Sequence, residues 1–139
     1  MTITSARTAN RLLWAAQIVA ALVFLFAGSM KFIMPAEKMQ EGPVVLPLAF
    51  LYFIGVCECL GALGLILPGL TRIRLWLTPL AAAGLTIIMI GATAVSIIGM
   101  GAAAGILPAV VGVVTAWIAY GRTRVAPLEG APRGGLRAA

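Results

Sequence analysis

The sequence predicts an all-α fold: a four-helix transmembrane bundle with both termini on the same side of the membrane. Hydrophobic residues make up 62% of the 139 residues and charged residues only 10%, whereas an average soluble domain has roughly 25% charged residues. The mean hydropathy is +1.08, and four long apolar runs lie between the charges. These runs are predicted to be helices because lipid leaves no backbone polar group unpaired, and four short runs cannot close a barrel.

The predicted spans cover residues 12–33, 47–67, 75–98 and 102–120. Each reaches or approaches the roughly 20 residues that cross about 30 Å of hydrocarbon, so residues 1–120 are predicted to form one membrane domain. The first apolar run is long for a signal peptide, and we expect it to be retained. Residues 121–139 are rich in Arg, Gly and Pro and lack an apolar period, which predicts a disordered basic tail.

The charged residues predict the orientation of the bundle. Eight arginines fall at the termini or between the second and third spans: Arg7, Arg11, Arg72, Arg74, Arg122, Arg124, Arg133 and Arg137. The opposite side has two lysines offset by two glutamates. Because Lys and Arg are enriched in short cytoplasmic loops, we expect cytoplasmic termini in a multi-pass protein of the cell membrane, here an inner membrane. The net charge of +6 then indicates contact with anionic lipid headgroups, not with nucleic acid.

Glu58 is the residue that this architecture least easily explains, and it is the candidate functional residue. It lies near the middle of the second span, where a carboxylate is costly and usually faces a bundle interior, a partner or a cavity. Desolvation favours the neutral acid there, which could donate a hydrogen bond to a quinone or other carbonyl oxygen. The alternative is that Glu58 only fixes the register of neighbouring helices. Its candidate partners by depth are Gln17, Ser29, Thr86, Thr93 and Thr115.

Lys31 is the candidate counter-ion of Glu58 and lies near the end of the first span. A lysine at this position can snorkel outward or lean inward. The difference in depth favours a small polar site shared with Glu58 and opening toward Lys31 over a direct ion pair, which would need helix tilt or the full reach of the lysine. Cys57 and Cys59 flank the acid but point roughly 200° apart on a helix, so they cannot form a disulfide with each other. With no histidine in the chain, neither a metal site nor a cofactor motif is evident.

Small residues are expected to mark the helix contacts. Ala102, Ala109 and Ala116 recur at seven-residue steps in the fourth span, and such stripes let transmembrane helices approach closely. Packing within the bundle is the favoured interpretation, and a homo-oligomer interface is the alternative. Pro108 lies inside the same span and is predicted to kink it.

Three stretches of the chain resemble the DoxX-like family of membrane proteins. The first span ends in FLFAGSMKF, the second reads GVCECLGALGLILPGLTR, and the third contains MIGATAV near its end. The resemblance covers about residues 11–120 and implies a four-helix membrane bundle. Relatives have been linked to membrane oxidoreductase assemblies, including a quinone-reducing thiosulfate oxidoreductase. The polar positions that match the family pattern are Lys31 and Glu58.

Two functions remain open from the sequence. The favoured one is a non-catalytic subunit, or a bundle that binds a small apolar ligand such as a quinone or a lipid, associated with a membrane oxidoreductase system or another membrane partner. The alternative is a small membrane enzyme that acts on a quinone-like or other apolar substrate with Glu58 as acid or base. One intramembrane acid, one lysine and no histidine make a sparse catalytic set, which favours the first.

Overall fold

The computed structural model describes residues 2–129, and all regular structure in that range is helical. Its elements are five α-helices and two short turns of other helix types: α1 (Ile3–Ile33), α2 (Ala36–Met39), α3 (Leu48–Thr71), α4 (Leu77–Met100), a 3₁₀ turn (Ala102–Gly105), α5 (Ile106–Tyr120) and a π-helical turn (Gly121–Val125). Four segments are long and apolar enough to cross a membrane: α1, α3, α4 and the continuous stretch Ala102–Val125. The predicted four-helix transmembrane fold is therefore confirmed.

The four spans pack as a ring, with α1 on α3, α3 on α4, α4 on α5 and α5 back on α1. A few large side chains fill the centre between small ones. The fully or almost fully buried apolar residues include Phe24, Leu65, Leu85, Ile118, Ala20, Ala62 and Ala82. Many large apolar side chains are instead exposed on the outside of the ring. Lipid tails are as apolar as a protein core, so this outer surface is suited to face the bilayer.

Helix α1 begins nine residues before the predicted first span. It has 31 residues, which corresponds to roughly 46 Å at 1.5 Å per residue and exceeds the about 30 Å of hydrocarbon. Its polar first three turns therefore extend beyond the hydrocarbon. The apolar run marks the part of a helix that lies in lipid, and it does not mark where the helix begins.

Helix α3 continues through Pro68 to Thr71, although the second span was predicted to end at residue 67. A proline removes only one helical hydrogen bond, and here it does so in the last turns. Arg72 directly follows the helix and has a φ of 56°, and Arg74 in the same loop has a φ of 50°. Left-handed backbone costs a residue with a side chain roughly 1–2 kcal/mol, so the short α3–α4 loop is strained at two arginines.

The prediction that residues 121–139 form a disordered tail is wrong for its first part. The chain continues from α5 into the π-helical turn Gly121–Val125, and Arg122 there is only 3% exposed. The physical reason is that Arg122 binds polar groups of α1, which composition alone does not reveal. Residues 130–139 of the predicted tail lie outside the described residues. Pro108 does not interrupt α5, since it occupies the first turn of that helix, directly after the 3₁₀ turn.

The predicted alanine stripe of the fourth span does not face a neighbouring helix. Ala102 and Ala116 are exposed and Ala109 is half-buried. The last two line an open groove of about 340 Å³ between α4 and α5. The close contact with α4 is made instead by Gly105 and Gly112, where an added Cβ would meet Ile97 and Met89 respectively. The contact with α4 thus does use small residues at a seven-residue spacing, but they are the glycines Gly105 and Gly112 on another face of the helix.

Candidate functional site

An ion pair between Lys31 of α1 and Glu58 of α3 is the centre of the candidate site. The Lys31 Nζ donates to the Glu58 Oε2 at 2.6 Å. The carboxylate side chain is 4% exposed and the lysine side chain 24%. It is the one ion pair found within residues 2–129, a range that contains all four glutamates of the chain.

Two glycines allow the helices to approach closely enough for this pair. A Cβ added at Gly28 of α1 would lie 3.2 Å from the Glu58 Cβ and 2.8 Å from the Gly55 carbonyl oxygen. Reciprocally, a Cβ added at Gly55 of α3 would lie 3.2 Å from both the Lys31 Cβ and the Gly28 carbonyl oxygen. Each glycine stands three residues before the charged residue of its own helix and opposite the charged residue of the other. The segments GSMK and GVCE therefore form a matched antiparallel crossing.

The sequence argument expected a shared cavity between Lys31 and Glu58 and not direct contact, and this expectation is wrong. Side chains on a helix lean toward the helix N-terminus. Because α1 and α3 are antiparallel, Lys31 leans back along α1 while Glu58 leans toward it from the other helix. The Lys31 Nζ accordingly lies 3.5 Å from the carbonyl oxygen of Ala27, one turn earlier. The lean of two antiparallel side chains thus closes the difference in depth.

Direct contact gives the Glu58 carboxyl group a partner that an isolated acid at this depth would lack. Pairing and hydrogen bonding with an ammonium group offset part of the cost of burying a carboxylate. The pair has no net charge, so the bundle can hold it within the apolar layer. Breaking it from either side would leave one charge without its partner.

Two aromatic rings and one sulfur atom lie beside the crossing. Phe32 stacks on Tyr52, with ring centroids 5.8 Å apart and planes inclined by 14°. Phe32 also approaches the backbone of Gly55, and the Cys59 Sγ approaches Gly28. Both cysteines of the chain are free thiols. The ion pair is therefore flanked by flat apolar surface on the side of Phe32.

The other predicted partners of Glu58 are placed elsewhere. Ser29 is exposed. Thr93 donates to the Met89 carbonyl oxygen of its own helix at 2.7 Å. Thr86 and Thr115 join α4 to α5 through a hydroxyl–hydroxyl hydrogen bond of 2.9 Å. Thr86 and Thr115 thus join neighbouring helices, and neither they nor Thr93 form a hydrogen bond with the acid.

Gln17, the remaining candidate, belongs to a second buried polar cluster that the sequence argument missed. Its Nε2 donates to the Leu65 carbonyl oxygen at 2.5 Å, and its Oε1 accepts from the Arg122 Nε, also at 2.5 Å. Arg122 further donates to the Asn10 Oδ1 at 2.6 Å. Its guanidinium lies 5.5 Å from the centroid of the Trp14 ring. This cluster brings the end of the last span beside the start of the first.

A signal for this cluster was present in the sequence. Gln17 carries a side-chain amide within an apolar run, and a buried amide needs hydrogen-bond partners for both its donor and its acceptor. Arg122 follows the aromatic end of the fourth span by two residues, so one further helical turn suffices to carry it to α1. The predicted tail boundary at residue 120 concealed this partner.

The chemistry available at the Lys31–Glu58 pair is donation and acceptance of protons and hydrogen bonds. Lys31 carries three N–H donors, of which one binds Glu58 and one points toward Ala27. One donor remains for another acceptor. In residues 2–129 no group of three or more His, Cys, Asp and Glu side chains comes together as a metal site would need.

Comparison with known proteins gives one match. The model of the DoxX-like family matches residues 15–119, a stretch that includes Lys31, Glu58 and both glycines of the crossing. No curated protein and no solved structure matches the chain.

Proposed function

Because the chain belongs to the DoxX-like family, we propose that it is a non-catalytic membrane subunit that binds a small apolar ligand bearing a carbonyl group, such as a quinone. The association with a membrane oxidoreductase system rests on the family resemblance. The site of binding rests on the Lys31–Glu58 pair. Intramembrane ionisable groups commonly mark ligand or proton pathways.

The partial exposure of Lys31 is the observation that carries the proposal. Glu58 is enclosed, whereas about a quarter of the Lys31 side chain remains accessible, and one of its N–H donors has no acceptor in the pair. A carbonyl oxygen is an acceptor that finds few donors among lipid tails. A charge-assisted hydrogen bond to it would be roughly twice as strong as a neutral one. The stacked Phe32 and Tyr52 rings offer a flat surface for a planar ligand beside that donor.

The enzyme alternative is favoured by the same ion pair for a different reason. When a redox partner supplies electrons to a bound quinone-like substrate, an ammonium group in contact with a carboxylate can supply the accompanying proton, with Glu58 as the acid or base. The two functions differ in whether the isolated chain turns the substrate over. They share the ligand position, so one set of variants addresses both.

The test is the quinone content of the purified protein. Wild type, Lys31→Met, Glu58→Gln and Lys38→Met are purified in the same detergent, and extracted quinone is quantified by mass spectrometry per mole of protein. Lys38 is an exposed lysine of the short helix α2, between α1 and α3, and serves as the matched control. We expect wild type and Lys38→Met to retain quinone, and Lys31→Met to lose it.

Equal quinone in Lys31→Met and wild type would show that the pair is not the site. The second measurement is the binding of a short-chain ubiquinone to detergent-purified protein, measured by calorimetry. Reduction of that quinone by the chain in the presence of an added electron donor, lost in Glu58→Gln while the fold is retained, would establish the enzyme alternative.

A further inference from the structure

A second cavity lies at the end of the bundle where the chain begins and the fourth span ends. It has a volume of about 550 Å³ and is bounded by the first two turns of α1, the end of α3 and the segment after the π-helical turn. Its walls include Arg7, Arg72 and Glu129. With two arginines and one carboxylate, the wall is positively charged.

The guanidinium of Arg122 lies directly behind this wall. Asn10, Trp14 and Ala126 all line the cavity, and all three contact Arg122: Asn10 and Ala126 accept its hydrogen bonds at 2.6 and 3.0 Å, and Trp14 faces its charge. Arg122 is 3% exposed. The cavity is therefore separated from a buried positive charge only by the residues that hold it.

Arg122 lacks a counter-ion in the described part of the chain. All four glutamates lie within residues 2–129, and none forms an ion pair with it. Its partners are neutral amide and carbonyl oxygens, and its second amino group, Nη2, is buried without a hydrogen-bond partner. Arginine cannot give up its proton, and a buried charge without compensation is costly. An anion in the neighbouring cavity would supply the missing negative charge.

The position of the cavity along the membrane normal favours one source for that anion. The apolar run of α1 begins at Leu12, while the cavity is lined by Ile3, Ala6, Arg7 and Asn10, one to three turns before it. Since the run from Leu12 to the end of α1 already spans about 30 Å of hydrocarbon, these turns lie at the level of the lipid headgroups. Basic pockets at this level bind anionic headgroups.

We propose that this cavity binds the phosphate group of an anionic phospholipid, with Arg7 and Arg72 in contact with the phosphate and Arg122 compensated through the wall. This site is distinct from the Lys31–Glu58 pair and does not depend on the function proposed for it. The bound lipid fills the space between the start of α1 and the segment after the π-helical turn, and so holds these two segments together.

The test compares two double variants that remove the same charge from the same end of the bundle. Arg7→Gln/Arg72→Gln removes the arginines of the cavity wall, and Arg11→Gln/Arg74→Gln removes two exposed arginines outside it. Each protein is reconstituted in nanodiscs of phosphatidylcholine with a minor share of phosphatidylglycerol. Native mass spectrometry after release into detergent then measures which lipid stays bound.

Wild type and Arg11→Gln/Arg74→Gln should retain phosphatidylglycerol in preference to phosphatidylcholine. Arg7→Gln/Arg72→Gln should lose this preference by roughly 25-fold, since each basic residue near an anionic headgroup contributes a factor of about five. Equal losses in both double variants, or equal retention of both lipids by wild type, would overturn the proposal.

Two further arms exclude other sources of the negative charge. Glycerol phosphate added to protein in phosphatidylcholine nanodiscs should not raise the melting temperature, and a rise equal to that caused by phosphatidylglycerol would overturn the assignment to a lipid. Glu129→Gln should strengthen retention of phosphatidylglycerol by removing a repulsive carboxylate. If that variant instead melts lower and phosphatidylglycerol has no effect on wild type, Glu129 is the counter-ion and the proposal is wrong.

Discussion

Replacing Gly28 by alanine tests whether the glycine crossing creates the Lys31–Glu58 pair. The added Cβ would lie 2.7 Å from the Cys59 Sγ and 2.8 Å from the Gly55 carbonyl oxygen. The sulfur belongs to a short side chain and the oxygen to the backbone of α3, so neither can yield without a shift of the helix. Overpacking of this kind costs about 1–3 kcal/mol.

The helix propensity of alanine offsets part of this cost. Alanine is better than glycine inside a helix by roughly 0.5–1 kcal/mol, which leaves a net destabilisation of about 0–2.5 kcal/mol for Gly28→Ala. Gly91 of α4 provides the control, since an added Cβ meets nothing within 4 Å there. Gly91→Ala should therefore be neutral or stabilising. Gly55→Ala should lie between the two, because its nearest contacts are 3.1–3.2 Å away.

The assay is thermal unfolding of the three variants in one detergent, followed by circular dichroism. The expected order of melting temperatures is Gly91→Ala highest, then Gly55→Ala, then Gly28→Ala. Gly28→Ala should also lower quinone retention, because separating the helices lengthens the 2.6 Å contact between Lys31 and Glu58. A Gly28→Ala protein that melts as high as Gly91→Ala would refute the close crossing and the argument built on it.

Three further predictions concern the ion pair, the arginine cluster and the topology. Lys31→Met and Glu58→Leu should each lower the melting temperature, because each leaves one charged group without its partner. The double variant should be more stable than the sum of the two losses predicts. Strictly additive losses would contradict the pairing. Arg122→Gln should lower the stability of the protein by about 1–3 kcal/mol, as expected when buried acceptors lose a charged donor. Arg124 is exposed, so Arg124→Gln should melt like wild type. Equal effects of the two variants would contradict the cluster. With the two native cysteines replaced by alanine, Lys38→Cys should react with an impermeant thiol reagent only from outside the cell, because the arginine-rich ends are expected to be cytoplasmic; labelling only from the cytoplasm would reverse the topology.

The sequence was sufficient for the fold because the constraints of lipid are strict. Four apolar runs of the right length admit little besides four spanning helices. The ends of the helices were less predictable, since the polar first turns of α1 and the turn that contains Arg122 carry no hydropathy signal. Their helical state depends on contacts between the first and last spans, which a local pattern cannot show.

The candidate site was predictable as residues but not as geometry. Glu58 and Lys31 stand out by their charge in apolar runs. Their contact depends on the lean of side chains in antiparallel helices and on Gly28 facing Gly55, and both follow from the register between α1 and α3. Register is set by packing over the whole crossing. The sequence could therefore identify Lys31 as the candidate counter-ion, but it could not show that Lys31 contacts Glu58 directly.

The two polar clusters also differ in how far apart along the chain their partners lie, and this orders the assembly of the protein in time. Lys31 and Glu58 are separated by 27 residues, so the ion pair can form as soon as the first two spans have entered the membrane. Arg122 lies 105 residues after Gln17 and 112 residues after Asn10. The two amides therefore lack this partner until the fourth span has been synthesised. The newly made chain thus first forms a helical hairpin joined by the ion pair, and the ring of four spans closes only when the fourth span packs against the first. An intermediate released before residue 122 would present unpaired polar groups to whatever insertion machinery or chaperone surveys the membrane.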